Sequence, residues 1–129
     1  MTTREEANLY CKSFDEILED YPFHDNNWAL MRHVANKKTF ACIYQHRGHI
    51  WINVKCDPEW RDFWRSAFTS IVPAYHMNKE HWNSIILDGT IPDKDIKRMI
   101  AESYELTKPK TKKIDKSELR RLEQTWTVQ

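Results

Sequence analysis

Glycine is scarce in this sequence, which has only Gly48 and Gly89 among its 129 residues. Loops that cradle the phosphates of a nucleotide cofactor are rich in glycine, and the chain contains neither a GxGxxG nor a P-loop pattern. The common nucleotide-cofactor classes are therefore excluded, and we expect no bound cofactor.

Cysteine is also sparse, and the spacing of Cys11, Cys42 and Cys56 contains no CxxC pair. We expect reduced thiols that serve as small buried apolar groups in a cytoplasmic protein.

The N-terminal stretch MTTREEANLYCKSF is charged and has no apolar core. It therefore predicts neither a signal peptide nor a membrane span.

The net charge is only +1, but it is unevenly distributed along the chain. Residues 1–27 carry two basic and seven acidic groups (−5), and residues 108–129 carry seven basic and three acidic groups (+4), which leaves +2 for the middle. Basic regions attract polyanions, although solvated faces of opposite sign would give the same counts.

The length is that of a single domain with one core. The composition changes after Thr107 to the basic stretch KPKTKKIDK. We therefore predict a domain over residues 1–107 and a basic C-terminal tail over residues 108–129, in which Asp115 and Glu118 could begin a short helix.

Capping patterns and apolar spacing predict the elements of the first half. Thr3 and Glu6 form a capping box, and an apolar stripe from Ala7 to Tyr21 predicts a helix that ends at Pro22. Three strands follow, joined by short polar hairpins, in NWALMRHV, TFACIYQ and HIWINVKC.

The second half begins with Asp57-Pro58-Glu59, an N-terminal helix signal, and we expect this helix to end before Pro73. Two strands are predicted between Tyr75 and Leu87, and a third helix carries the stripe Ile96, Met99, Ile100, Ser103 and Tyr104. The order α-β(3)-α-β(2)-α predicts an α+β fold whose antiparallel sheet is buried on one face and covered by helices one and three.

The stretch PAYHMNKEHWNSI concentrates histidine, asparagine, lysine, tyrosine and tryptophan. A metal site at His76 and His81 has no CxxC or HExxH pattern to support it, and no catalytic triad is legible, so we expect neither a metal nor an enzyme. Lys79, His76 and the amide side chains suit phosphate oxygens and bases, although a polar turn would use the same residues.

Three segments in this order, NVKCDPE, PAYHMNKEHWNSI and DGTIPDKDIKRMIAESYEL, resemble the MmcQ/YjbR family of small bacterial proteins over residues 3–108. The resemblance implies a CyaY-like or secretion-chaperone-like fold, with a double-wing arrangement in which the sheet and its hairpins face DNA. Carried over by position, it implies DNA-binding roles for Lys55, His76, Asn78, Lys79, Trp82 and Asn83.

We therefore predict a DNA-binding protein that holds mainly the phosphate backbone, through about five to seven contacts that salt would weaken. The expected phosphate contacts are Lys37, Lys38, Arg47, Lys55 and Lys79. Trp51 is expected on an exposed sheet face with Asn53 and Lys55. Either Trp51 or His76 would stack on the nucleic acid or form hydrogen bonds with it. The rival is a protein-interaction module that uses the acidic first helix and the Trp-rich second helix. On either interpretation we expect a monomer or weak homodimer.

Overall fold

Six antiparallel strands form one sheet in the order β1-β2-β3-β4-β6-β5, and three helices complete an α+β fold. This is a computed structural model, and it describes residues 1–110. The elements are α1 (Arg4–Lys12), β1 (Ile17–Asp20), β2 (Ala29–His33), β3 (Thr39–His46), β4 (His49–Lys55), α2 (Pro58–Ala67), β5 (Ile71–Pro73), β6 (Trp82–Ile86) and α3 (Asp93–Thr107). The predicted fold class is confirmed, with one strand more than the sequence indicated.

The additional strand is β1, which replaces the second half of the predicted first helix. The capping box exists, since the Glu6 amide donates to Thr3 Oγ1 at 3.2 Å, but α1 ends at Lys12. Ile17–Asp20 instead pairs antiparallel with β2 as an edge strand. The prediction of a helix to Pro22 was therefore wrong there, because a short apolar run has no period that separates a strand from a helix.

The meander of β2, β3 and β4 lies where the sequence predicted it. Tyr44 of β3 pairs with Trp51 of β4, and a register shift follows Met31 in β2. The β3–β4 turn contains Arg47 at φ 49° and Gly48 at φ 81°, two consecutive left-handed residues. Such a pair forms the tight hairpin turn that matches the twist of the strands.

The region from α2 to β6 differs from the prediction in its boundaries. Asp57 caps α2 by accepting from the Glu59 amide at 3.0 Å, as expected, but the helix ends at Ala67. Ile71–Pro73 forms β5 and pairs with β6. The predicted strand at Tyr75 is therefore wrong, and residues 74–81 form a loop that we call the β5–β6 loop.

One face of the sheet carries the helices and the main core. All five residues of the predicted α3 stripe are buried, as expected. The helices α1 and α3 pack on β3, α3 also packs on β4, and α2 packs on β5 and β6. The predicted short helix at Asp115 lies outside the described residues, and so does the tail from residue 111 onward.

Candidate nucleic-acid interface

The sheet face opposite the helices is also buried, which corrects the expectation of one exposed face. Leu30, Cys42, Tyr44 and Trp51 form a second apolar cluster there, and Trp51 is 9% exposed. Asn53 is fully buried. The prediction that Trp51 and Asn53 face solvent is therefore wrong, because the β5–β6 loop and Trp28 cover this side of the strands.

A buried hydrogen-bond network holds the β5–β6 loop against the sheet. Tyr44 Oη and Ser84 Oγ both donate to Asn53 Oδ1, at 2.8 and 2.5 Å. Asn53 Nδ2 donates to the Tyr75 carbonyl at 2.9 Å, and the Tyr75 amide donates to Ser84 Oγ at 2.9 Å. Burial raises the pKa of Tyr44 to about 12, so its hydroxyl stays a neutral donor.

Aromatic stacking fixes the same loop from outside this network. The Tyr75 ring lies parallel to the His46 ring at 4.3 Å, and Trp51 meets His46 edge-on at 4.9 Å. The next residue, His76, is exposed and has a left-handed conformation with φ 59°. The stacked rings thus join the β3–β4 hairpin to the β5–β6 loop.

These contacts create a cleft of about 570 Å³ between the β3–β4 hairpin and the β5–β6 loop, which we call the basic cleft. Its lining consists of His46, Arg47, Trp51, Val72, Pro73, Ala74, Tyr75, His76, Met77, Asn78 and Lys79. The lining includes two permanently cationic side chains and no carboxylate. Within residues 1–110, neither Arg47 nor Lys79 forms an ion pair.

Half of the ten predicted site residues line this cleft, namely Arg47, Trp51, His76, Asn78 and Lys79. Arg47, His76, Asn78 and Lys79 are exposed. Asn78 Oδ1 accepts a hydrogen bond from the Glu80 amide at 2.8 Å. The side-chain nitrogen of Asn78 has no hydrogen-bond partner within residues 1–110. The structure thus joins residues that are far apart in sequence.

Lys37 and Lys38 do not belong to this group. They lie in the β2–β3 turn, at the opposite end of β3 from Arg47. The eight residues of β3 separate the two turns by about 23 Å at the usual rise per strand residue. The expected single strip of cations is therefore divided between two ends of the sheet.

Lys55 also lies outside the cleft lining. It is half-buried at the end of β4, where it pairs with Trp82, and its backbone amide donates to Ser103 Oγ at 2.8 Å. Trp82 is itself half-buried. Both side chains are therefore partly in solvent, outside the lining of the basic cleft.

Asn83 is fully buried, which corrects its assignment as a surface contact. Its Oδ1 accepts from Arg65 Nε at 2.7 Å, and its Nδ2 donates to the Arg61 carbonyl at 3.3 Å. Both ends of the amide are therefore occupied by α2. The side chain fastens this helix to β6 and is not available to a ligand.

A second cleft, of about 480 Å³, adjoins the basic cleft and was not predicted. We call it the apolar cleft; its lining consists of Phe23, Asp25, Trp28, Leu30, Thr39, Cys42, His76 and Met77. Phe23 is 61% exposed, and its ring meets Trp28 edge-on at 6.3 Å. Phe23 lies between Tyr21-Pro22 and the polar stretch HDNN, a segment without the periodicity that would have indicated a site.

Three further features concern the metal-ligating side chains, the thiols and the helices. Within residues 1–110, no three His, Cys, Asp or Glu side chains are grouped so that they could hold a metal ion. Burial raises the pKa of the Cys11 and Cys42 thiols to about 12 and that of Cys56 to about 11. No helix in the described residues has the length and apolar character to cross a membrane.

Comparison with known proteins gives one consistent family. The YjbR family model matches residues 12–106. The Bacillus subtilis protein YyaQ is 39% identical over 119 residues, which cover 84% of this chain and 100% of YyaQ. The Escherichia coli protein YjbR is 28% identical over 80 residues, which cover 62% of this chain and 68% of that protein.

Solved structures give the same fold. A crystal structure of a Deinococcus radiodurans protein with a DUF419 domain has a TM-score of 0.76 at 29% identity, and the match covers 95% of this chain and 88% of that one. A Pseudomonas syringae protein has a TM-score of 0.73 at 29% identity, covering 82% and 99%.

Proposed function

The chain belongs to the YjbR family, and we propose that it binds DNA through phosphate contacts in the basic cleft. The observation that carries the proposal is the lining of this cleft, which contains the cationic side chains of Arg47 and Lys79 and no carboxylate. Cations without local partners attract a polyanion more strongly than cations already paired with acidic side chains.

Arg47 and Lys79 would make the charged contacts. Arg47 projects from the tip of a tight hairpin, and its planar guanidinium can hold two oxygens of one phosphate. Lys79 supplies a second, compact charge from the β5–β6 loop across the cleft. Phosphate contacts of this kind fix the position of the nucleic acid and carry no sequence information.

Two further hydrogen-bond donors complete the set. The amide nitrogen of Asn78 and the exposed ring of His76 lie in the same lining and can donate to phosphate or sugar oxygens. Both residues belong to a loop that the Asn53 network holds in place. The donors would therefore need little rearrangement to meet a strand.

The separation of the cations lowers the number of direct contacts that we expect. Lys37 and Lys38 lie about 23 Å from the β3–β4 turn, more than two Debye lengths at physiological salt. Direct contacts would therefore come from the two cleft cations, with Lys55 as a peripheral charge. This set gives a log–log salt slope of about −2, at roughly 0.9 per contact.

A salt titration tests the proposal. The dissociation constant for a short DNA duplex is measured by fluorescence anisotropy at several salt concentrations, for the unmodified protein and for the Arg47→Ala, Lys79→Ala double variant. We expect a slope near −2 that falls towards zero in the variant. The double variant Lys37→Ala, Lys38→Ala is the matched control and should keep the slope. No binding at low salt, or an unchanged slope in the cleft variant, contradicts the proposal.

A second candidate is protein binding through the exposed side of α2. Trp60 and Phe63 are 41% and 52% exposed, and Leu106 of α3 beside them is 47% exposed. Arg98 lies over the Trp60 ring at 5.2 Å. Apolar patches of this kind mark association surfaces.

Sedimentation velocity over a range of protein concentrations tests this candidate as self-association. A concentration-dependent dimer that Trp60→Ala and Phe63→Ala abolish would support it. A monomer at every concentration would contradict that form of it.

A further inference from the structure

We infer that the ligand of this site is single-stranded DNA, with one unstacked base in the apolar cleft and its phosphate in the basic cleft. The inference rests on the proposed function and specifies which form of DNA the site takes. It comes from the way the two clefts meet.

The two clefts are neighbours that share two lining residues. His76 and Met77 line both of them, so only these two consecutive residues of the β5–β6 loop stand between the spaces. His76 is the exposed, left-handed residue of the loop and forms the ridge between the clefts. A ligand that crosses this ridge would occupy both spaces at once.

The two clefts differ in chemistry. The apolar cleft has walls of aliphatic, aromatic and sulfur groups, among them Leu30, Cys42 and Met77, whereas the basic cleft holds Arg47 and Lys79. The 480 Å³ of the apolar cleft is within the range of small-ligand sites, roughly 300–1,000 Å³. A nucleotide has the same division between a flat ring and a charged phosphate.

Asp25 determines which part of a nucleotide enters which cleft. It is the only carboxylate in the lining of the apolar cleft. Its Oδ1 accepts from the amides of Asn27 and Trp28, both at 2.9 Å, and its other oxygen has no hydrogen-bond partner within residues 1–110. A carboxylate repels phosphate and accepts from ring or amino N–H groups of a base. The phosphate is therefore directed to the basic cleft and the base to the apolar one.

Phe23 provides the surface on which the base would stack. Its ring is 61% exposed and borders the cleft beside Trp28. Trp28 is held by a parallel contact with Tyr44 at 3.9 Å, so this wall is rigid. Stacking of a base on an exposed aromatic ring is a main source of affinity in single-strand binding proteins.

A duplex cannot make these contacts. Its bases are paired and stacked on their neighbours, and a base enters a side-chain cleft only after it leaves the stack. A single strand offers unstacked bases without that cost. The site should therefore prefer a single strand to a duplex of the same sequence.

The test compares three ligands by fluorescence anisotropy at one low salt concentration. They are a short oligothymidylate, an abasic strand with the same number of phosphates, and a duplex of the same length. We expect the oligothymidylate to bind about tenfold more tightly than the abasic strand, and more tightly than the duplex.

Three variants separate the two parts of the ligand. Phe23→Ala should remove the difference between oligothymidylate and abasic strand, whereas Arg47→Ala should weaken both by the same factor. Leu9→Ala is the matched control, because Leu9 is an apolar residue of α1 that is 75% exposed. A thermal unfolding scan of each variant confirms that the fold is retained.

The failure of this inference can be distinguished from failure of the proposed function. If all three ligands bind equally and Phe23→Ala has no effect while Arg47→Ala weakens binding, phosphate binding stands and the base site is overturned. If the duplex binds most tightly, the single-strand preference is overturned. If no ligand binds at low salt, both proposals fail.

Discussion

Arg65 Nε donates to Oδ1 of the buried Asn83 over 2.7 Å, and this contact helps to connect α2 to the start of β6. Arg65 Nη2 also donates to the carbonyls of Lys79, at 2.5 Å, and Trp82, at 3.3 Å. The backbone that presents Lys79 to the basic cleft is therefore held by a side chain outside that cleft. The sequence segment HWNSI thus owes part of its composition to stability rather than to ligand binding.

Replacement of Asn83 by alanine should destabilise the protein by about 2 kcal/mol. The substitution leaves the Arg65 guanidinium without its side-chain acceptor and the Arg61 carbonyl without its donor, and hydrogen bonds to charged groups contribute roughly 1.5–3 kcal/mol. Urea denaturation measures the effect. Ser66→Ala, at an exposed position of the same helix, is the control and should change stability little. An Asn83→Ala protein as stable as the control would contradict the assigned role.

Replacement of Lys37 by glycine should stabilise the protein by roughly 0.5–1 kcal/mol. Lys37 has φ 61°, a left-handed conformation that costs a residue with a Cβ about 1–2 kcal/mol and costs glycine almost nothing, while glycine loses more chain entropy on folding. Thermal or urea unfolding provides the measurement. Lys38→Gly is the matched control, since Lys38 is not among the left-handed residues, and should destabilise by a similar amount. Equal effects of both changes would refute this explanation.

Stability should fall as the pH decreases below about 6.5, in part because of His33. This residue is 4% exposed, and burial lowers the pKa of its imidazole below the ordinary 6.5. Below 6.5 the unfolded chain therefore binds a proton that the folded one resists, and stability is lost; above 6.5 both states are neutral and the effect vanishes.

Urea unfolding at pH 5.5 and 7.5 for the unmodified protein and His33→Gln measures this contribution. Glutamine is chosen because its amide can donate to Thr107 Oγ1, which His33 Nε2 contacts at 2.8 Å. The loss of stability between the two pH values should be smaller in the variant. A loss of the same size would exclude His33 as a source of the pH dependence.

The three cysteines should react with thiol reagents only when the protein opens. All three are buried, and burial raises the pKa of each thiol to about 11 or 12, so almost no thiolate exists at pH 8. Colour development with a disulfide reagent should be slow for the folded protein and fast for all three thiols in denaturant. A thiol that reacts rapidly in the folded state would contradict this placement.

The sequence predicted those elements whose signals are local and long. The Asp57-Pro58 start of α2 and the five-residue stripe of α3 were read correctly, because capping and helical periodicity act within a few residues. The strands β1 and β5 were missed. They have only four and three residues, which is too short to show the alternation of apolar and polar residues that indicates a strand. Their pairing with β2 and β6 stabilises them.

The sequence predicted only part of the candidate site, for a different reason. Residue type and the family resemblance predicted Arg47, His76 and Lys79, which line the basic cleft. Nothing local indicates that the β5–β6 loop crosses the second sheet face and meets the β3–β4 hairpin. The same crossing buries Trp51 and Asn53, which alternation had placed in solvent. Phe23 entered the site through the fold of the loop before β2, which has no periodic signal.

The most direct test of the account is whether DNA affinity depends on where positive charge is lost. Arg47→Glu with Lys79→Glu, and Lys37→Glu with Lys38→Glu, change the net charge by the same amount at opposite ends of β3. Dissociation constants for oligothymidylate at one salt concentration should rise at least tenfold for the first pair, and by less than about threefold for the second, because only the first pair lines the cleft. Equal losses for the two pairs would show that overall charge, and not the basic cleft, determines binding.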